Sequence, residues 1–165
     1  MGCGTGFIAA QLASLGYDVW GVDASAQGIA LARETYPNVQ FAVDSIYNSM
    51  DYVGRDLDCV ISLEVIEHLY LPRLLMQRAF DLLRPQGVFV LSTPYHGYLK
   101  NLALSIVNGW DRHFDVSWDG GHVKFFSRSS LGRMARDVGF AAPRFRGVGR
   151  VPYLWRSDVM LATKP

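Results

Sequence analysis

The chain has 165 residues, 50% of them hydrophobic and 19% charged, with 16 Lys and Arg against 15 Asp and Glu. That length suits a single domain over residues 1–165, and the balanced charge excludes a basic nucleic-acid module, a disordered tail and a collagen-like chain. No apolar run approaches the ~18 residues of a membrane span, and residues 1–20 lack the pattern of a secretory signal, so a cytoplasmic location is expected.

Helix-like and strand-like stretches alternate, the pattern of an α/β domain with a mostly parallel sheet. Phe7, Ile8, Leu12 and Leu15 have helical spacing within Thr5 to Leu15, and Gly16 is placed to end that helix. Val19 to Val22 reads as a short buried strand. Ser25 is placed to cap a helix that runs to about Tyr36 and is stopped by Pro37, and Val39 to Val43 is the next strand. Asp58 to Leu63 is another buried run. Pro72 opens a helix whose apolar face is Leu74, Leu75, Phe80, Leu82 and Leu83; Pro85 to Gly87 then turns into the strand Val88 to Leu91. The rhythm breaks over Tyr95 to Phe126, an insertion predicted to hold a helix from Tyr98 to Val107 and to carry Tyr95, Tyr98, Trp110, Phe114, Trp118, Phe125 and Phe126. A helix over Ser129 to Val138 with Gly139 as its cap follows. Strands at Arg144 to Val148 and Val159 to Thr163 would add an antiparallel C-terminal edge.

Two cysteines fit neither a disulfide framework nor a CxxC pair. Cys3 is expected as a free thiol beside a binding loop and Cys59 as one in the core.

Gly2-Cys3-Gly4-Thr5-Gly6 leads straight into the first helix, so loop amides and the helix N-terminus form an electropositive rim suited to a carboxylate or phosphate. In a doubly wound fold such a loop follows a central strand, yet only Met1 precedes it. The expectation is a first strand missing through shortening or a misassigned start, ahead of a neighbour filling the gap. Asp23 ends the next strand, where a carboxylate accepts hydrogen bonds from both hydroxyls of a ribose. A nucleoside-bearing cofactor follows. A dinucleotide loop needs its third glycine at the position of Phe7, whereas glycine here falls one residue earlier, at Gly6; this argues against a nicotinamide-dependent oxidoreductase.

The GxGxG form resembles the first motif of class I S-adenosylmethionine-dependent methyltransferases. The likeness continues through Gly21-Val22-Asp23-Ala24-Ser25, similar to the ribose-binding strand end, and Ala42-Val43-Asp44-Ser45-Ile46, similar to the segment that meets the adenine. Asp58 to Leu69, with Leu63-Glu64-Val65-Ile66-Glu67-His68, resembles the fourth-strand motif, and Leu83 to Pro94 the fifth. The resemblance implies a doubly wound, Rossmann-like fold and S-adenosylmethionine as cofactor. It implies Gly2, Cys3, Gly4, Gly6, Asp23, Ala24, Asp44, Ser45, Ile46 and Leu63 as cofactor-binding residues. The implied reaction is methylation of a hydroxyl on a small or lipid-like acceptor, with nitrogen or carbon as alternative targets and a non-catalytic, truncated domain as a further reading.

Glu64, Glu67 and His68 are spaced to share one side of a helical turn after the fourth-motif strand. Three readings stand: helix-start acids with a packing histidine, His68 as general base, or a magnesium, manganese or zinc ion held by the carboxylates and imidazole. Ubiquinone-biosynthesis O-methyltransferases and small-RNA 2′-O-methyltransferases carry a similar ExxEH segment with a later histidine. Gly121-His122-Val123-Lys124-Phe125-Phe126 resembles the stretch bearing that histidine, which makes His122 the fourth metal ligand and pairs it with His68 as a catalytic candidate. His96, His113 and Asp111 are further acid/base candidates in the insertion, which is read as acceptor pocket or lid. Leu99, Leu102, Ala103, Ile106 and Val107 share one face of its helix, suited to core packing or to a membrane surface. Nucleic acid is disfavoured as a partner, since Arg128, Arg133, Arg136, Arg144, Arg146, Arg150 and Arg156 lack aromatic interleaving.

Overall fold

The computed structural model describes residues 1–114 and 117–165. In chain order it contains α1 (Phe7–Ser14), β1 (Trp20–Asp23), α2 (Ala26–Thr35), β2 (Gln40–Val43), β3 (Leu57–Leu63), α3 (Pro72–Leu82), β4 (Leu83–Pro94), α4 (Tyr98–Ile106), α5 (Trp110–His113), α6 (Arg128–Val138), β5 (Arg144–Val148) and β6 (Ser157–Thr163). Three of the caps read from sequence stand at bounds of these elements. Ser25 Oγ accepts from Gly28 N–H at 3.0 Å to open α2, and Pro72 stands at the start of α3, where its missing N–H leaves nothing unpaired. Ser127 and Ser130 cap α6 reciprocally, and Gly139 ends it in the left-handed region.

β1 and β2 pair in parallel, with Asp23 opposite Val43. The second sheet has the order β3-β4-β6-β5, with β3 parallel to β4 and β6 antiparallel to both of its neighbours. β3, β4 and β5 therefore run one way, and the reversed strand β6 lies between β4 and β5 to make the antiparallel C-terminal part. β4 is longer than Val88 to Leu91: it takes in Pro85 to Gly87, with Gln86 at positive φ and a register shift between Leu57 and Cys59 on its partner.

The larger core joins Leu75, Met76, Ala79 and Leu82 of α3 to Phe89 and Leu91 of β4, Leu131 and Ala135 of α6, and Met160 of β6. A second core gathers Ala9, Ile29, Ala32 and Phe41 between α1, α2 and β2. Among the described residues no helix is long and apolar enough to cross a membrane.

One sequence expectation of burial is corrected, and two helices turn their apolar residues in ways the sequence left open. Cys59 is an exposed free thiol, because β3 ends the four-stranded sheet and only Val60 and Ser62, on its other face, are covered. In α1 the side buried against the second core is that of Ala9, which leaves Phe7, Ile8 and Leu15 exposed. In α4 the buried side chain is Lys100, whose Nζ donates to the Tyr95 carbonyl, while Leu99, Leu102 and Ile106 face outward, and Val107, just after the helix, is exposed.

Gly6 shows why the loop needs glycine. It has φ +83°, and a Cβ would come within 2.6 Å of Phe41 Cζ and 2.9 Å of Ala32 Cβ in the second core. Gly6→Val is expected to destabilise the fold by about 3 kcal/mol through backbone strain and overpacking. Gly4→Ala, at φ +54° but with open space around it, should cost about 1 kcal/mol. Urea unfolding midpoints that rank the two variants the other way would refute this account.

Candidate active site

The loop after Met1 runs between the two sheets. The Met1 amine donates to the Ile61 carbonyl of β3 at 2.8 Å, and the amides of Gly2 and Cys3 donate to the Val22 carbonyl of β1. Gly2 packs so closely on Val65 that a Cβ there would collide with it. Gly4 N–H donates to Asp23 Oδ2 at 2.8 Å, while Asp23 Oδ1 accepts from Ser25 N–H at 2.8 Å. The carboxylate at the end of β1 thus orders both the glycine loop and the start of α2. No side chain caps α1, which leaves its first amides available to an anion.

One strand over, Asp44 follows β2, and its N–H donates to the Asp23 carbonyl. Asp44 Oδ1 accepts from Ser45 N–H and from the Asn48 amide, and the Asn48 bond holds the carboxyl below its usual range. Burial, reinforced by Asp44, pushes the neighbouring Tyr52 phenol up to about 12. Ala24 is exposed and Leu63 half-buried, whereas Ile46 is buried in the larger core.

The second cluster lies beyond Val65. The expected helical turn does not carry all three of its residues on one side: Glu64 takes φ +54°, and a 3₁₀ turn covers Ile66–His68. Glu64 Oε1 accepts from Ser92 Oγ at 2.7 Å, and Glu67 turns inward, where Oε2 accepts from Thr93 Oγ1 at 3.1 Å. Glu67 is 1% exposed, and its Oε1 has no hydrogen-bond partner among the described residues. Burial pushes the Glu67 carboxyl up to about 7.

The insertion closes over this acid. The amides of Val123 and Lys124 donate to the Glu67 carbonyl, and His68 Nδ1 donates to the Gly120 carbonyl at 2.8 Å. That bond makes Nδ1 the donor and leaves Nε2 facing Glu67 Oε1, 4.0 Å away. The His122 ring lies 4.9 Å from His68, and the Trp118 ring 5.9 Å from it on an edge. Ligand atoms of Glu67, His68 and His122 all fall within 4.8 Å of one another, and Glu64 stands outside that set. A buried, unpartnered carboxylate oxygen beside two imidazoles fits a divalent cation. Burial, with His68 second, lowers His122, which favours the neutral ring that can ligate.

Ser92 and Thr93, which hold the two acids, were not singled out by the sequence; the one sign of them is a pair of hydroxyls directly after the apolar run of β4. Asp111 is exposed. His96 lies between His113, 5.9 Å away ring to ring, and Phe125, 4.5 Å away. Burial, with Lys100 second, lowers it to about 4. The folded chain therefore binds fewer protons than the unfolded chain between pH 4 and 6.5, so the contribution of His96 to stability is full above 6.5 and lost as pH falls through 4. Up to about 3 kcal/mol is expected to disappear over that window. His96→Gln should flatten the difference in denaturation midpoint between pH 7 and pH 4, and an unchanged slope would refute the assignment.

The signature of a family described as a methyltransferase domain matches residues 1–142. The ubiquinone biosynthesis O-methyltransferase of Azorhizobium caulinodans is 28% identical over 156 residues, 90% of this chain and 60% of that protein. Its namesake from Cereibacter sphaeroides is also 28% identical, over 94% of this chain and 64% of that protein. The chain thus spans about three fifths of the length of these curated relatives. In fold it is similar to magnesium protoporphyrin IX methyltransferase from Synechocystis, solved with bound SAH, with a TM-score of 0.74 and 19% identity over 99% of this chain and 72% of that one. With the sheet order, the glycine loop and the strand-end acids in place, the match over 1–142 shows that the chain belongs to the methyltransferase domain family.

Proposed function

We propose that this chain transfers a methyl group from S-adenosylmethionine to a hydroxyl of a small or lipid-like acceptor, with residues 1–165 as one cofactor-binding domain. The observation that carries this reading is Val65: Gly2 of the loop packs on it, and Glu67 and His68 follow it two and three residues on. Cofactor loop and acid–histidine cluster are thereby held side by side. The relatives named for O-methylation support a hydroxyl as the target.

Bound S-adenosylmethionine supplies a methyl group already activated on a sulfonium. The protein's task is alignment, which supplies up to ~7–11 kcal/mol. The open amides at the start of α1 hold the methionine carboxylate, Asp23 takes the ribose hydroxyls, and Asp44 with Ser45 borders the adenine. A phenol or alcohol must lose a proton as it attacks. Glu67, His68 and His122 are the groups placed to take it. They would also hold a magnesium, manganese or zinc ion, which lowers the pKa of a hydroxyl and orients it.

The test is transfer of labelled methyl to catechols and phenols against matched anilines, before and after chelation with EDTA. Label on the hydroxyl compounds, cut about 100-fold by EDTA or by His122→Ala and restored by one of the three ions to the chelated protein, supports the reading. Label on the anilines alone, or rates indifferent to both treatments, overturns the hydroxyl and metal assignments. Absence of transfer with every acceptor, in protein that binds S-adenosylhomocysteine, favours a non-catalytic domain.

A further inference from the structure

A cavity of about 350 Å³ opens between α4 and the connection from β5 to β6. Leu104 and Val107 wall it on one side and Leu154 on the other, while the polar groups that reach it are Lys100, Arg150 and His113. Its size matches small-molecule sites, which begin near 300 Å³.

The arrangement of α4 against this cavity is unusual. A helix that leaves Leu99, Leu102 and Ile106 outside has turned a lysine inward until 8% of it is exposed. One of the three ammonium donors of Lys100 reaches the Tyr95 carbonyl at 2.8 Å. Among the described residues neither Lys100 nor Arg150 has a carboxylate in ion-pair range. Burial lowers the Lys100 ammonium, Arg150 adds to that and Glu64 opposes it; burial, then Lys100 and Arg150, lower His113. A buried cation with no carboxylate in ion-pair range is costly, and a second cation beside it adds to the cost.

We infer that this cavity binds an amphipathic carboxylate, its anionic end between Lys100 and Arg150 and its hydrocarbon part along Leu104, Val107 and Leu154. The carboxylate places a negative charge between the two cations, and the apolar walls remove its tail from water. Neither methyl transfer nor the cofactor enters the argument, so the site stands or falls separately from the proposed reaction.

Calorimetric titration of the full chain with octanoate, 1-octanol, octylamine and acetate tests it. Octanoate is expected to bind at least about tenfold more tightly than the other three, since only it has both parts. Lys100→Met and Arg150→Gln should each weaken octanoate by about tenfold and leave octanol unchanged. Equal binding of octanol, equal binding of acetate, no binding of octanoate, or octanoate affinity untouched in the variants overturns the inference. Should Lys100→Met fail to fold, Arg150→Gln, at an exposed position, decides the outcome alone.

Discussion

Glu67→Gln is expected to stabilise the metal-free protein at pH 8 while cutting methyl transfer to a hydroxyl by about 100-fold or more. The buried carboxyl titrates at about 7 in the folded chain, against the 4.5 of an ordinary glutamate. Between those values the folded state binds the additional proton. Glu67 therefore costs nothing below pH 4.5, and its penalty grows as pH rises through 7. Neutralising it recovers up to about 3 kcal/mol at pH 8 and nothing at pH 4, with the Gln amide still able to take the Thr93 hydroxyl. A divalent ion should raise the wild-type melting temperature and leave the variant unmoved. Urea unfolding at the two pH values, with and without zinc or manganese, checks this. A variant less stable than wild type at pH 8 would mean that Glu67 Oε1 has a partner that compensates its charge.

Asp23→Ala should abolish binding of S-adenosylhomocysteine. Its carboxylate orders Gly4 and Ser25 through two 2.8 Å bonds before any ligand arrives, and it is the acid proposed for the ribose. Loss of charged hydrogen bonds of this kind costs about 1.5–3 kcal/mol each. In a thermal-shift titration, wild type at a hundredfold excess over Kd gains about 2.7 kcal/mol. The alanine variant should show no rise at the same concentration. Asp23→Asn, which keeps the Gly4 bond through its carbonyl, separates the two roles: a restored fold with weak binding places the carboxylate on the ribose, and wild-type binding removes it from the site.

The order of elements was legible because their boundaries are local events. Ser25, Pro37, Pro72 and Gly139 act on the backbone next to them, and each stands at or beside an element end. The acid–histidine cluster was legible as residues but not as geometry. Spacing placed Glu64 with Glu67 on a helical turn, and the left-handed backbone at Glu64 sends it to Ser92 instead. Burial was least legible where it depends on what lies alongside. Cys59 has the neighbours of a core residue in sequence, yet it sits on an edge strand; the apolar face of α4 reads like any other and is turned outward, with Lys100 beneath. No local pattern distinguishes those cases, since the deciding contacts come from elsewhere in the chain.

The separation of the two cores bears on how the molecule opens. Ile29, Ala32 and Phe41 are packed by α1, α2 and β2, while β3 to β6 close around a larger core that also takes in Val22 of β1, and Met1 to Cys3 hydrogen-bond to both sheets. Such a molecule should exchange its amide hydrogens in two cooperative groups, the smaller one opening first. A cofactor seated on the glycine loop touches the joint between them. Its arrival would then slow exchange across β1 and β2 more than across β4 and β6, tightening the coupling between the two units.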